Sequence, residues 1–181
     1  MNTKDYYNKL SETIKKIPVG RIDRAIEVIR NAIEREKWVF TCGNGGSAST
    51  ASHYVTDWGK MRFVNKELKF KSLCLSDNIG MLTAYGNDIS YNNIFDYSLS
   101  NYGSEGDVLV AVSGSGNSEN VVNAVKKAKE LGIITICVVG YDGGALSDIC
   151  DHVIHFEVND MQICEDLHLS FGHVVMKALC E

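Results

Sequence analysis

The chain has 181 residues, of which 45% are apolar and 23% charged, and it carries a formal net charge of −5. This length and composition are typical of one globular domain with a sizeable core, here residues 1–181. The negative charge disfavours non-specific binding to nucleic acid, which requires a basic surface. A small anionic ligand is still compatible, because backbone N–H groups bind phosphate without any net positive charge.

The polar N-terminus and the scattered cysteines predict a cytoplasmic protein. No apolar run follows the first residues, so we expect no signal peptide, and no stretch is apolar enough to predict a membrane span. The cysteines form no C-x-x-C pair, and several lie within apolar runs. We therefore expect buried, reduced thiols in a reducing compartment.

The chain opens with two predicted helices, followed by a strand. Apolar residues at helical spacing predict a first helix from Thr3 to about Ile17, which Pro18 and Gly20 end. The same spacing predicts a second helix from about Ile22 to Glu36. The run Trp38–Cys42 is short and rich in β-forming residues, which is typical of a strand buried on both faces.

Strand-like and helix-like segments alternate through the rest of the chain. One helix is predicted from Asn117 to Leu131, where Gly132 stops it, and the last from about Met161 to Cys180. This alternation predicts an α/β fold with a mostly parallel sheet covered by helices on both faces. The charged stretch Asn65–Lys71 has the character of a loop or a sheet edge. The further predicted strands are Ser72–Leu75, Val108–Val112, Ile133–Val139 and Val153–Phe156.

Two loops rich in glycine and serine follow predicted strands and lead into helices. The first runs from Gly43 to Thr50 and the second from Ser113 to Ser118. Glycine lets the backbone approach a ligand closely, and the free N–H groups of a helix's first turn favour an anion. Serine hydroxyls donate further hydrogen bonds to phosphate oxygens. One such loop would be an ordinary capped turn, but two at the carboxyl ends of strands predict a phosphate site.

The first loop also fits the G-x-G-x-x-A pattern of dinucleotide-binding domains. Asp77, at the end of the next predicted strand, would then be the ribose-binding acid. However, two helices precede the first strand, and the spacing to Asp77 exceeds the roughly 20 residues of that fingerprint. The second loop has no role in it either. A dinucleotide-binding domain is therefore the weaker alternative, and we expect no nucleotide cofactor.

Two sets of acidic and imidazole side chains are candidates for proton transfer or metal binding. His53 and Asp57 lie four residues apart on the helix after the first loop, so they share one face. Glu165, His168 and His173 lie on the last helix. An imidazole–carboxylate pair suits a divalent metal or proton transfer. The alternative for an isolated pair is a solvated Asp beside a capping or core His.

The spacing within the last helix limits what its side chains can share. Glu165 and His173 are eight residues apart, about 12 Å along a straight helix. They would not readily bind the same small ion from one straight helix. Either Glu165 precedes the helix proper, or the two residues belong to sites shared between subunits.

These motifs, in this order, resemble the sugar isomerase (SIS) domain family. They run from the first strand to the last helix, and they are most similar to the branch that acts on sedoheptulose 7-phosphate. The matching stretches are Gly43–Ser47, His53-x-x-x-Asp57, Ser76-Asp77, Gly86-Asn87-Asp88, Ser113–Ser118, Gly140-x-Asp142-Gly143-Gly144 and Glu165-Asp166-x-His168-x-x-x-x-His173.

The resemblance implies a three-layer α/β sandwich with a five-stranded parallel sheet flanked by helices, a homotetramer, and active sites at subunit boundaries. It implies an aldose–ketose isomerase that moves a proton between C1 and C2 of a sugar phosphate, in bacterial glycoconjugate synthesis. Asp57 and His173 are the expected catalytic residues. Zinc or another divalent metal would be held by His53, Asp57, Glu165 and His173. The expected substrate-binding residues are Asn44, Gly45, Ser47, Asp88, Ser113, Gly114, Ser115, Ser118 and Glu165.

Two positions depart from the usual residues of that family, which has Glu at the position of Asp57 and Gln at that of Glu165. Asp is one methylene shorter, so a general base there would lie about 1 Å further back, a displacement that matters for catalysis. The added carboxylate of Glu165 favours a bound cation. The first interpretation is that the protein is an active isomerase. A non-catalytic sugar-phosphate-binding module, or an isomerase of altered specificity, is the alternative.

Overall fold

The computed structural model describes residues 2–60 and 69–180. Helices and strands alternate along most of these ranges, as the sequence predicts. The α-helices are α1 (Thr3–Ile14), α2 (Val19–Glu34), α3 (Gly45–Gly59), α4 (Ile79–Asp88), α5 (Ile94–Tyr102), α6 (Glu119–Glu130), α7 (Gly144–Ile149) and α8 (Met161–Cys180). The strands are β1 (Trp38–Cys42), β2 (Lys71–Cys74), β3 (Val108–Ser113), β4 (Ile134–Val139) and β5 (His152–His155).

The strands form one parallel five-stranded sheet in the order β2-β1-β3-β4-β5. Strands β1 and β3 are neighbours, with Val39 opposite Val108. Because the two strands are parallel, their carboxyl ends lie at the same edge of the sheet, and so do the two glycine- and serine-rich loops that follow them. The predicted parallel sheet is therefore confirmed.

The central strand β3 shows why helices cover both faces of the sheet, since every one of its residues is buried. Val108, Val110 and Val112 point to a core that also contains side chains of α2, α3 and α8. Leu109 and Ala111 point to a second core formed with α5, α6 and α7. Burial of each such valine or leucine side chain contributes roughly 1.5–3 kcal/mol. These two cores confirm the predicted three-layer sandwich.

Several helix ends differ from their predicted positions by two or three residues. Helix α1 ends at Ile14 rather than about Ile17, and α2 begins at Val19 rather than about Ile22. The fixed backbone of Pro18 suits a helix start, so α2 begins at the next residue, Val19. Helix α6 begins at Glu119 rather than Asn117, because loop hydrogen bonds hold the preceding residues.

The strand predictions are shifted by about one residue at several ends. Strand β2 starts at Lys71, which the sequence assigned to a loop or edge, and β5 starts at His152 rather than Val153. Residues 65–68 of the charged stretch lie outside the described residues. Helix α8 spans Met161–Cys180 as predicted.

Helices α3 and α8 pack side by side and run in the same direction. The indole Nε1 of Trp58 donates to the carbonyl of Gly172 at 3.0 Å, and the Tyr54 hydroxyl donates to the carbonyl of His168. A side chain at position 172 would overlap the Tyr54 ring, so glycine permits this close approach. Both aromatic rings are fully buried.

Each of the six cysteines carries a free thiol. The thiols of Cys42, Cys74, Cys137 and Cys164 are buried in the two cores, in agreement with the sequence, whereas Cys150 and Cys180 are partly exposed. Over residues 2–60 and 69–180, the helices include none with the length and apolar character that a bilayer crossing requires.

Candidate functional site

The two loops meet over a cavity of about 240 Å³ at the carboxyl edge of the sheet. The cavity lies between β1 and β3, where the first loop enters α3 and the second leads to α6. We name it the loop cavity. Seven of the predicted substrate-binding residues line it, together with Val112 and Met161. Those seven are Asn44, Ser47, Ser113, Gly114, Ser115, Ser118 and Glu165.

Local hydrogen bonds shape the second loop. The Ser113 hydroxyl accepts from the backbone N–H of Gly116 at 3.1 Å, and the Ser115 hydroxyl accepts from that of Asn117 at 3.2 Å. Ser118 is the N-cap of α6, but within the described chain its hydroxyl makes no capping bond. These hydroxyl groups therefore stand beside the free N–H groups of a helix start, an arrangement that favours an anion.

An amide pair that the sequence did not predict joins the two loops. Asn44 is the N-cap of α3 and Asn120 lies in the first turn of α6, and each donates from Nδ2 to the other's Oδ1, at 2.8 and 2.9 Å. Asn120 is only 2% exposed. Only the pairing of β1 with β3 brings these residues together, so no local sequence signal reveals the contact.

Glu165 lies in the loop cavity, at the start of α8. Its carboxylate approaches Gly46 so closely that a side chain at position 46 would overlap it. Gly45, the first residue of α3, has a φ of +51°, a left-handed backbone that favours glycine. The first loop thus needs its glycines for two reasons, one conformational and one steric.

A second group of side chains gathers further along α3 and α8. The carboxylate Oδ2 of Asp57 lies 3.2 Å from Nε2 of His53 and 3.6 Å from Nε2 of His173. Potential ligand atoms of these three residues all lie within 4.8 Å of one another. The parallel packing of α3 and α8 creates this imidazole–carboxylate group, because it brings one turn of each helix face to face.

The other oxygen of Asp57 has a partner that the sequence analysis missed. Lys60 Nζ donates to Asp57 Oδ1 at 2.5 Å. Burial raises the pKa of Asp57, but the hydrogen bond from Lys60 and the charge of His53 outweigh it, so the pKa lies below its ordinary value. The carboxylate is therefore ionised at neutral pH and fit to accept a proton or bind a cation.

The loop cavity and the imidazole–carboxylate group occupy different levels of the same two helices. Ser47 and Asp57 are ten residues apart on α3, about 15 Å along the axis. Glu165 and His173 are about 12 Å apart on α8. Among the described residues, the metal-ligand group does not include Glu165. A single chain thus brings together three of the four predicted metal ligands.

Two other predicted or candidate residues lie outside both places. Asp88 is the last residue of α4, is exposed, and accepts a hydrogen bond from the Asn87 amide. His168, on α8, is fully buried. A larger cavity of about 490 Å³, lined in part by His53, Ser76 and Asp77, opens beside the imidazole–carboxylate group.

Comparison with known proteins identifies the family. The model of the SIS domain matches residues 5–140. The phosphoheptose isomerase of Clostridium acetobutylicum is 40% identical over 158 residues, which cover 87% of this chain and 80% of that protein. This chain belongs to the phosphoheptose isomerase family of SIS-domain proteins. The phosphoheptose isomerase of Aliarcobacter butzleri is 33% identical over 94% of this chain and 88% of its own length.

Solved structures support the same family relationship. A phosphoheptose isomerase from Neisseria gonorrhoeae superposes with a TM-score of 0.90 at 28% identity, over 97% of this chain and 95% of that one. One from Francisella tularensis gives 0.87 at 25% identity, over 99% and 98%. The resemblance predicted from the sequence is confirmed, and a SIS fold replaces the dinucleotide-binding alternative.

Proposed function

We propose that this SIS-domain protein interconverts the ketose and aldose forms of a seven-carbon sugar phosphate, with sedoheptulose 7-phosphate as its substrate. The observation that carries the proposal is the pairing of the loop cavity with an ionised carboxylate between two imidazoles, in a chain 40% identical to a phosphoheptose isomerase. The product would feed the synthesis of a bacterial glycoconjugate.

The loop cavity is the proposed phosphate site. Ser47, Ser113, Ser115 and Ser118 would donate hydroxyl hydrogen bonds to phosphate oxygens, and the N-termini of α3 and α6 would add backbone N–H groups. Asn44, Gly45, Gly114 and Glu165 complete the proposed substrate-binding set. Asp88 lies outside the loop cavity, so its proposed contact would be with the sugar and not with the phosphate.

Asp57 is the proposed general base and His173 its acid–base partner. Asp57 takes a proton from C1 of the open-chain ketose while His173 protonates O2, which gives an enediol. His173 then removes the proton from O1 as Asp57 returns its proton to C2, which leaves the aldose. The proton count is unchanged over the cycle, and both residues end as they began. An imidazole suits this role because it gains and loses a proton near neutral pH.

The same group has the chemistry of a divalent metal site. Two imidazoles and a carboxylate with ligand atoms within 4.8 Å form a donor set that zinc accepts. As the alternative to proton transfer by these residues, we propose His53, Asp57 and His173 as ligands for zinc or a similar ion, while Glu165 would join them only from another chain. An ion held there would supply Lewis-acid polarisation of the substrate carbonyl.

We also propose a homotetramer in which neighbouring chains complete each site. The separation of about 12–15 Å between the loop cavity and the imidazole–carboxylate group supports shared sites. Exposed apolar side chains on the first two helices, Tyr7, Ile14 and Val19, offer surface for assembly. A cytoplasmic location fits the free thiols. Light scattering that gives an active monomer would rule out the assembly.

The proposal is tested by isomerisation assays on a panel of ketose phosphates, with and without a chelator. We expect turnover of sedoheptulose 7-phosphate. The variants Asp57→Asn and His173→Gln should each lower kcat roughly 10²-fold or more while substrate binding persists. Near-normal turnover in both variants would refute the assigned roles. Binding of sedoheptulose 7-phosphate by the wild-type protein without turnover would favour the non-catalytic binding module, which the shorter carboxylate of Asp57 allows.

A further inference from the structure

The two oxygens of the Asp57 carboxylate have different partners. Oδ1 accepts a hydrogen bond from Lys60 Nζ at 2.5 Å. Oδ2 faces Nε2 of His53 at 3.2 Å and Nε2 of His173 at 3.6 Å. One oxygen is therefore bound to a cation outside the imidazole group, and the other is directed into that group.

The Lys60–Asp57 pair differs from an ordinary surface ion pair. Lys60 is the C-cap of α3, three residues after Asp57, so the two side chains lie on the same face of the helix. The Lys60 side chain is 51% exposed, but that of Asp57 is only 8% exposed. An ion pair between two exposed side chains is screened and weak, whereas a hydrogen bond to a largely buried carboxylate is shielded from water and stronger.

Such a hydrogen bond fixes a degree of freedom that aspartate otherwise keeps. The last torsion of an Asp side chain is broad, so a carboxylate held only at Oδ2 can rotate and present its oxygens in several ways. Partners outside a site commonly orient the groups that act in it. Here Lys60 reaches the oxygen that does not face the imidazoles.

We propose that Lys60 is a positioning residue, which holds Oδ1 of Asp57 so that Oδ2 alone faces His53 and His173. The effect on turnover rests on the proposed isomerase function, because it assumes that Oδ2 is the reacting oxygen. The orientation of the carboxylate does not depend on that function. Lys60 itself does not touch the reacting atoms of the substrate.

The kinetic test compares Lys60→Met and Lys60→Arg with a matched control. Lys15 is the C-cap of α1 and pairs at 2.7 Å with Glu12, which is also three residues before it, and both side chains of this pair are exposed. We expect Lys60→Met to lower kcat about tenfold, a size typical of a lost orienting partner, with KM changed less than about twofold. Lys60→Arg should recover most of kcat, and Lys15→Met should match the wild type.

Two results would overturn the proposal in an active enzyme. One is an unchanged or increased kcat in Lys60→Met, and the other is an equal loss in Lys60→Arg and Lys60→Met. If the wild-type protein isomerises no sugar phosphate, the proposed function fails, and crystal structures of the wild type and Lys60→Met decide the positioning role. We expect the Asp57 carboxylate to rotate in the variant, and the same orientation in both proteins would overturn the proposal.

Discussion

His168 is an ionisable side chain enclosed in the apolar core. It is fully buried, and among the residues that the structure describes neither ring nitrogen has a hydrogen-bond partner. Burial lowers the pKa of His168 from its ordinary 6.5 to about 4, and the nearby backbone of Val139 offsets only part of this shift. A protonated imidazole in this place would be a buried charge without a counter-ion, so the folded protein holds the neutral form.

This buried imidazole predicts a loss of stability in mild acid. Between about pH 6.5 and 4 the unfolded chain binds a proton at His168 that the folded chain does not. The free energy of unfolding should therefore fall as pH drops through this range, by about 3 kcal/mol in total. Urea unfolding at several pH values would measure the slope for the wild type and for His168→Leu, which removes the titrating group.

The control is His152→Gln, which changes a partly exposed histidine at the start of β5. We expect the control to keep the slope of the wild type, and His168→Leu to flatten it. Equal slopes for the wild type and His168→Leu would mean that other groups cause the acid sensitivity.

At the level of elements, the Asn44–Asn120 pair couples the first turns of α3 and α6. These are the two helix starts that border the loop cavity, so their relative position decides where hydroxyl and N–H groups converge. Each of the two hydrogen bonds contributes about 1 kcal/mol. Loss of these two hydrogen bonds would let the two loops move apart and would weaken phosphate binding.

We therefore predict that Asn120→Ala raises KM for the sugar phosphate by about tenfold and leaves kcat within about threefold. Steady-state kinetics on sedoheptulose 7-phosphate would measure both constants. The matched control is Asn123→Ala on the same helix, because Asn123 donates to the carbonyl of Asn92 and does not reach the loops. A similar rise in KM for both variants would point to general destabilisation of α6 instead.

The elements themselves could be predicted because their signals are local. The uninterrupted apolar run of β3 and the helical spacing of α6 each lie within a few residues, and both elements form as expected. Lys60 and Asn120 were missed for different reasons. The contact of Asn120 depends on neighbouring strands far apart in sequence, whereas Lys60 is close to Asp57 in sequence but resembles any solvated lysine at a helix end.

Glu165 shows that a contact not visible in the local sequence also affected the prediction of the metal site. Eight residues along a helix argued against a shared ion with His173, and the structure indeed places Glu165 beside Gly46 in the loop cavity. The resemblance nevertheless grouped it with the metal ligands, because a motif lists residues without saying which copy of the chain supplies them. Within one chain the structure supports His53, Asp57 and His173 as a group.

For the whole molecule, shared sites make a prediction that a single-chain site does not. The double variant Ser113→Ala with Ser115→Ala should disable the loop cavity, and Asp57→Asn should disable the base. If each site takes its loop cavity from one chain and its base from another, random assembly of the two inactive proteins should pair two intact halves in about a quarter of the sites. Mixed oligomers should then regain about a quarter of wild-type activity. Unfolding and refolding the two variants together, followed by the isomerase assay, would measure the recovery.

Each variant refolded alone serves as the control and should stay inactive. No recovery in a mixture that does form mixed oligomers would show that each chain carries its own complete site. Mass spectrometry of the refolded mixture would establish that mixed oligomers are present.

The six thiols differ in burial, so the order in which they react would report the order in which parts of the protein unfold. Cys42, Cys74 and Cys137 lie on strands of the sheet and Cys164 lies on the buried face of α8, whereas Cys150 and Cys180 are partly exposed. An alkylating reagent would label the two accessible thiols at once and the four sealed ones only when the structure around them separates. Fragment-ion mass spectrometry would locate each labelled cysteine, and the order of labelling would tell whether α8 detaches before the sheet comes apart.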